Sequence, residues 1–574
     1  MMSKAWWERC PERLEYELQA LKDAGIPFQL DEKAKAHGRI QLELQPVHNG
    51  SVNHLIAFFP DLYPYFRFEI QAPDLDLGHH QNPFGKNLCF IGRNTANWKT
   101  TDTLAAYIQE RFPLVIMAAT TSDHAIAEIL EEHQGEPVST YYHYQPNSIL
   151  LIDSSWSVSE DVRKGNLVIA LSDQQVGPSV LGAIKEIRAS DGKVLASADP
   201  ALSGLYPKII QGRWYRISRP AIERDPLLLL KNHSAEYPSI LKPQSQEIKG
   251  WDIDIVGLVF SDELAYHEKA DDWIFVVRAS KRKAGGKPDK ANYLARAGRA
   301  GRSDLMARVP ELNILPKRRV ALIGLGGIGA PIAIELAKSG VGELRILDRD
   351  FVEPGTIVRW PLGLQSAGRH KAIALQDFLR NHYPFTHVVA HTHEIGSAFI
   401  SLEGPRDPEV LDGLLDGVDL VCDASAEFGI QHLLSDLAAE KKVPYLCAST
   451  TQGGWGGLVA RIRPGITEGC WSCLQGHLGK SIPEPPQDLS GIVQPKGCSD
   501  PTFTGIGCDV ASIALMGARL AITTMSMGVN NAYPDFQWDV AVGALRKPNG
   551  QAIPLSWETF LLPRFPTCPK CTKP

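Results

Sequence analysis

The chain has 574 residues, 44% hydrophobic and 22% charged, with a formal net charge of -6. That length exceeds one hydrophobic core and predicts roughly three or four domains, while the small net charge excludes a global field directed at nucleic acid or an acidic membrane. No apolar run approaches the ~20 residues of a membrane span and the first residues lack a signal-peptide core, so the expectation is a cytoplasmic protein with no membrane segment.

Residues 1–145 open on a helical pattern (WWERCPERLEYELQALKDAG), pass through strand-like IQLELQPV and SVNHLIAFFP, and return to a helix in TDTLAAYIQERF. This predicts one α+β domain. Residues 146–277 alternate short β-rich runs (SILLID, NLVIAL, WIFVVRAS) with turn residues and carry no chemical motif, predicting a β-rich middle domain. Residues 278–316 begin with ten Lys or Arg against two Asp between Arg278 and Arg308, with four glycines interspersed, which predicts a solvated basic linker. Residues 317–574 interleave apolar strands (RVALIGLG, ELRILD, VDLVCDAS, VPYLCAST) with helices, the pattern of a Rossmann-like parallel α/β sheet. The expected class is therefore multidomain α/β.

Gly324, Gly326, Gly327 and Gly329 follow a strand and open a helix, the context in which backbone approaches phosphates at a helix N-terminus. Asp348 ends the next strand nineteen residues on, where a carboxylate can accept ribose hydroxyls. Arg359 and Lys371 follow within about two dozen residues and suit a triphosphate and its leaving group. Asp423, at the carboxyl end of VDLVCDAS, is a candidate Mg²⁺ ligand. The glycines alone would fit a nicotinamide or flavin enzyme as well.

The succession GxGGIG, D-x-D-x-V-E, Arg359, Lys371 and D-A-S resembles the adenylation domain shared by ubiquitin-activating enzymes and the bacterial activators of the ThiF and MoeB type. The resemblance implies ATP and Mg²⁺ at Asp348, Arg359, Lys371 and Asp423, with Thr356 standing where the family usually has asparagine. RAGRSDLMAR is similar to the family's arginine element, making Arg302 a candidate for the phosphates.

The pairs Cys470/Cys473 and Cys568/Cys571 offer four thiolates, the donor set of a structural Zn²⁺. Cys498 lies in a Pro- and Gly-rich loop before an apolar helix expected to begin near Thr504, and an exposed thiol there can act as a nucleophile. By the same resemblance it occupies the region of the thioester-forming cysteine. Cys508 is expected in the core of that helix, Cys422 and Cys447 in core strands, and Cys10 in the first helix.

At the other end, FPDLYPYFRFEI, HHQNPFGKNLCFIG, Trp98 and TDTLAAYI resemble the ubiquitin-conjugating fold. That resemblance makes Cys89 the thioester acceptor and Asn82 a candidate for the oxyanion. The order of the two modules resembles the CD-NTase-associated protein 2 family of type II CBASS antiphage systems. It implies activation of the C-terminus of a nucleotide cyclase, passage through Cys498 and Cys89, ligation to lysine of target proteins, and a homodimer. The rival readings are a sulfur-carrier adenylyltransferase, which leaves Cys89 and its flanks unexplained, a nicotinamide oxidoreductase, and a binding scaffold with decayed sites.

Overall fold

The computed structural model describes residues 5–89, 98–121, 135–174, 177–265, 268–281, 288–398, 404–493 and 502–571. The chain forms two compact units, one of residues 1–199 and 206–299 and the other of residues 200–205 and 300–574.

In the first unit, Phe28–Leu30, Ile40–Leu44, Leu55–Phe59 and Glu69–Gln71 form an antiparallel meander. Alternate apolar residues of the second and third strands (Ile40, Leu42, Leu44; Leu55, Ala57, Phe59) are buried, as period-two patterning requires. The helices Pro11–Asp23 and Leu104–Thr120 pack with this sheet in one core. The predicted single opening helix is broken at Cys10, because the residue before Pro11 is driven out of the helical region; its φ and ψ are -137° and 71°, and Cys10 is exposed. Glu17 is fully buried and ties the helices together, accepting the Leu104 N–H at 2.9 Å, Arg13 at 2.5 Å and the Tyr63 hydroxyl.

The middle of the unit is a nine-stranded sheet whose long hairpin is Trp251–Ala265 with Glu268–Lys281. Where it is described, the basic run holds a strand where a linker was expected. Asp289–Arg299 pairs antiparallel with Glu268–Lys281 and parallel with Ile149–Ile152, so the β domain extends to Arg299. Ala291, Tyr293, Ala295 and Ala297 point to one core and Leu294 to another, while Arg278 and Arg299 are paired with Asp254 and Asp272. Alternation with small residues hid a strand inside a charged sequence.

In the second unit the strands lie in the order His387–His391, Glu343–Leu347, Arg319–Ile323, Leu420–Asp423, Tyr445–Thr450, all parallel. Gly456–Ile462, Val540–Arg546 and Ala552–Phe560 extend the sheet antiparallel, which the reading as a parallel sheet did not include. Gly507–Ser526 is long and apolar enough to cross a membrane, yet most of it is buried, with Val510, Ile513, Ala514 and Ala518 packed in the core beside Ile332 and Ala448.

Candidate active site

The phosphate-type turn sits at the carboxyl edge of this sheet, where parallel α/β folds place ligands. Gly324 adopts φ +82°, and a Cβ there would lie 2.5 Å from the Ser425 nitrogen. At Gly329 a Cβ would lie 1.8 Å from the Gly324 carbonyl oxygen, so the helix Gly329–Lys338 starts only because both positions lack side chains. Gly327 borders the Arg359 side chain, and Gly326 faces open space. No side chain caps this helix; the Ala330 N–H is taken by the Gly326 carbonyl at 3.2 Å and Pro331 has none, so what its N-terminus offers an anion is chiefly the helix dipole.

Asp348 is buried and accepts the N–H groups of Leu325 at 2.6 Å and Asp350 at 2.7 Å. Burial raises its pKa, and the charge of Lys371 pulls it back. Lys371 begins the helix Lys371–His382 and contacts Asp350 Oδ2 at 2.7 Å. Arg359 donates to the Phe503 carbonyl at 3.0 Å and to the Thr502 hydroxyl, with its guanidinium 4.7 Å from the centre of the Phe503 ring. Burial lowers the Arg359 pKa. Trp360 closes the group by donating to the Leu325 carbonyl at 2.8 Å.

Asp423 is fully buried. Its Oδ1 accepts the Ser425 N–H at 2.9 Å and hydroxyl at 2.7 Å, and its Oδ2 accepts the Tyr445 hydroxyl at 3.0 Å. The carboxylate is thus out of solvent contact, with Oδ1 accepting two bonds and Oδ2 one. Arg302 lies at the opposite edge of the sheet, donating to the Phe385 carbonyl at 3.0 Å and stacking on Phe385, so within this chain it does not join the phosphate turn. Phe385 belongs to the segment that enters a strand, whereas the glycines leave one.

The four sulfurs of Cys470, Cys473, Cys568 and Cys571 lie within 4.8 Å of one another, with neighbouring pairs at 3.6–3.7 Å. A tetrahedral Zn²⁺ with sulfur at ~2.3 Å needs edges of roughly 3.8 Å, so the donor set fits the ion in both type and spacing. Cys508 is not a core residue. It is the second residue of the helix Gly507–Ser526 and is exposed, because the helix begins three residues later than expected and Val510 is its first buried position. Cys498 lies outside the described residues.

In the first unit Cys89 is exposed, and its N–H donates to the His80 carbonyl at 2.8 Å. Asn82 Oδ1 accepts the N–H groups of Phe84 and Gly85 at 2.9 and 3.1 Å, so this carboxamide oxygen shapes the turn leading to Cys89. His80 is held at φ +61°, its N–H bonded to Glu136 Oε2 at 2.9 Å.

The ThiF family matches residues 303–541 and Prokaryotic E2 family B matches residues 18–151. The protein y4oA of Sinorhizobium fredii (strain NBRC 101917 / NGR234) is 32% identical over 589 residues, covering 98% of this chain and 97% of that one. The chain belongs to the y4oA family.

This member of the y4oA family joins a prokaryotic E2 domain to a ThiF adenylation domain. Its ThiF half is 28% identical over 275 residues to the probable adenylyltransferase/sulfurtransferase MoeZ of Mycobacterium tuberculosis (strain CDC 1551 / Oshkosh), covering 46% of this chain and 60% of MoeZ. The ATP-dependent ubiquitin transferase-like protein Cap2 of Enterobacter hormaechei subsp. hoffmannii (strain UCI 50) is 26% identical over 224 residues, covering 39% of this chain and 35% of Cap2.

Within the y4oA-family fold the turn glycines, Asp348, Arg359 and Lys371 come together at one sheet edge, while Arg302 and the cysteine cluster lie elsewhere. Sequence reading gave no role to Asp350, Thr502, Ser425 and Tyr445, the direct partners of the predicted charges. Asp350 and Ser425 carried a signal, as the second acid of D-x-D and the serine of D-A-S; Thr502 and Tyr445 carried none.

Proposed function

We propose that the chain activates the C-terminal carboxylate of a partner protein with ATP and conjugates it to an amine through two of its own cysteines. One observation carries the reading: an E2 domain with an exposed Cys89 and a ThiF domain with a phosphate-type turn flanked by Arg359 and Lys371 occupy the same chain. ATP enters as substrate with its Mg²⁺, its phosphates at the turn beside Arg359 and Lys371 and its ribose toward Asp348.

A carboxylate oxygen attacks the α-phosphorus and pyrophosphate leaves. The Cys498 thiolate then attacks the acyl carbon, AMP leaves, and exchange with Cys89 carries the acyl group to the E2 domain. A lysine amine takes it from there as an isopeptide. Holding both thiols on one chain makes the exchange intramolecular. The partner is a CD-NTase-like nucleotide cyclase, the working form a homodimer in the cytoplasm, and the outcome the priming of antiphage signalling, as the resemblance to the Cap2 type supports. Zn²⁺ at the four cysteines holds the C-terminal segment in place.

The similarity to MoeZ favours a second reading, adenylation of a sulfur-carrier protein, which uses the ThiF half alone. Intact mass spectrometry of the full chain with ATP·Mg²⁺ and a candidate cyclase separates the two. The conjugation reading expects a thioester adduct on Cys89 that vanishes in Cys498→Ala. AMP release with no adduct on either cysteine would keep adenylation and remove conjugation.

A further inference from the structure

The residues around Cys89 are not all contributed by the E2 sheet. Gly135 lies so close to the end of the strand Trp251–Ala265 that a Cβ there would sit 2.6 Å from the Leu264 carbonyl carbon. Next to it the Val138 N–H donates to Asp262 Oδ2 at 2.7 Å, and His79 Nε2 meets Glu263 Oε2 at 3.2 Å. The middle sheet thus grips both the segment entering Cys89 and the segment carrying Glu136.

Glu136, nearly buried, bonds in two directions. Its Oε2 accepts the His80 N–H at 2.9 Å and the Tyr141 hydroxyl at 2.9 Å, and its Oε1 lies 3.5 Å from His80 Nδ1. The His80 carbonyl in turn receives the Cys89 N–H at 2.8 Å. One carboxylate therefore orders the backbone that presents the thiol and, through the same oxygen, fixes the Tyr141 phenol, which is linked to Cys89 by the successive bonds Tyr141–Glu136, Glu136–His80 and His80–Cys89. Burial, then Glu136, then the charge of Cys89 hold the Tyr141 phenol well above its usual range, so it stays protonated.

We infer that Glu136 is a positioning residue and Tyr141 a catalytic residue for discharge of Cys89, with the Tyr141 oxygen receiving an N–H of the incoming amine while its own O–H is held by Glu136. The inference rests on the reading of Cys89 as an acyl carrier. In the step, the amine nitrogen bonds to the thioester carbon, the carbon–sulfur bond breaks, and Cys89 departs with the electron pair. The proton shed by the amine ends on that thiolate, so no further reagent is needed. An acceptor aligned against Tyr141 attacks in a fixed direction, which is where positioned groups contribute most.

The test uses the full chain carrying Cys498→Ala, with Cys89 loaded directly by the 2-mercaptoethanesulfonate thioester of Gly-Gly and discharged onto free lysine, both followed by mass spectrometry. Tyr141→Phe, which removes only the hydroxyl, is expected to load at the parent rate and discharge roughly tenfold more slowly, the effect of one lost hydrogen bond. Glu136→Gln is expected to discharge slowly as well, with Glu136→Asp recovering more of the rate than Glu136→Ala. Unchanged discharge in Tyr141→Phe, or equal slowing of loading and discharge, overturns the inference. A parent chain that takes the acyl group on Cys10 or Cys508 but not on Cys89 removes the carrier reading itself. In the chain with Cys498 intact, loading by thioester exchange without loading from ATP would sink only the proposed activation.

Discussion

The Tyr445 hydroxyl donates to Asp423 Oδ2 at 3.0 Å at the carboxyl edge of the ThiF sheet, where the carboxylate is fully buried. Burial raises the Asp423 pKa from 3.8 to about 6, against the bonds from Ser425 and Tyr445. Between those values the folded chain holds a proton that the unfolded chain has released. The domain therefore gains stability as pH falls from 7 toward 4 and loses it as pH rises through 6, by up to about 3 kcal/mol. Hydrogen exchange in Arg319–Ile323 and Leu420–Asp423 at pH 5 and 7 measures this. Asp423→Asn is expected to flatten the difference, and a wild-type profile already flat would show the carboxyl ionised throughout.

The turn glycines separate into those that sterics demand and one that they do not. Gly329→Ala forces a methyl to within 1.8 Å of the Gly324 carbonyl and is expected to reduce ATP–pyrophosphate exchange by about 100-fold or more. Gly326→Ala meets nothing within 4 Å and is expected to leave the fold intact, with an effect confined to nucleotide affinity. Equal thermal stability and equal exchange in the two variants would show that the turn relaxes freely.

Elemental analysis of the purified chain is expected to find one zinc per chain, held by Cys470, Cys473, Cys568 and Cys571. Cys568→Ser should release the metal and lower the unfolding temperature by several degrees, because metal binding free energy is folding free energy at such sites. Full zinc occupancy in that variant would place the ion elsewhere.

Brief alkylation of the native chain should label Cys10, Cys89 and Cys508 and spare Cys422 and Cys447. Burial raises the last two thiols, Cys447 to about 12, so both exposure and ionisation protect them. Peptide mapping reads the ranking directly, and reaction at Cys422 ahead of Cys508 would contradict the packing described.

Much of the ThiF half was legible because its features are local: a turn that needs glycine, strands with unbroken apolar runs, and paired cysteines two residues apart. What escaped were contacts made over long separations. Thr502 lies 143 residues from Arg359, and Tyr445 lies 22 from Asp423, so neither announces its partner. The strand Asp289–Arg299 escaped for a different reason, its inward-facing alanines, Ala295 buried and Ala291 and Ala297 partly so, being too small to register as a hydrophobic face. Glu136 carried no signal at all, since its role depends on which strand Gly135 rests against.

The cysteine clip also sets a timetable for synthesis. Cys470 and Cys568 are separated by 98 residues, so the second pair of sulfurs leaves the ribosome seconds after the first at ordinary elongation rates. Until then the cysteine cluster has only two of its four sulfurs, and the edge strand Ala552–Phe560 has not yet covered its neighbour. The E2 sheet is by then complete. A newborn chain thus possesses its E2 domain before it possesses a finished ThiF domain, and a chain interrupted in its last few residues would keep the first whole and leave the second without two of its four clustered sulfurs.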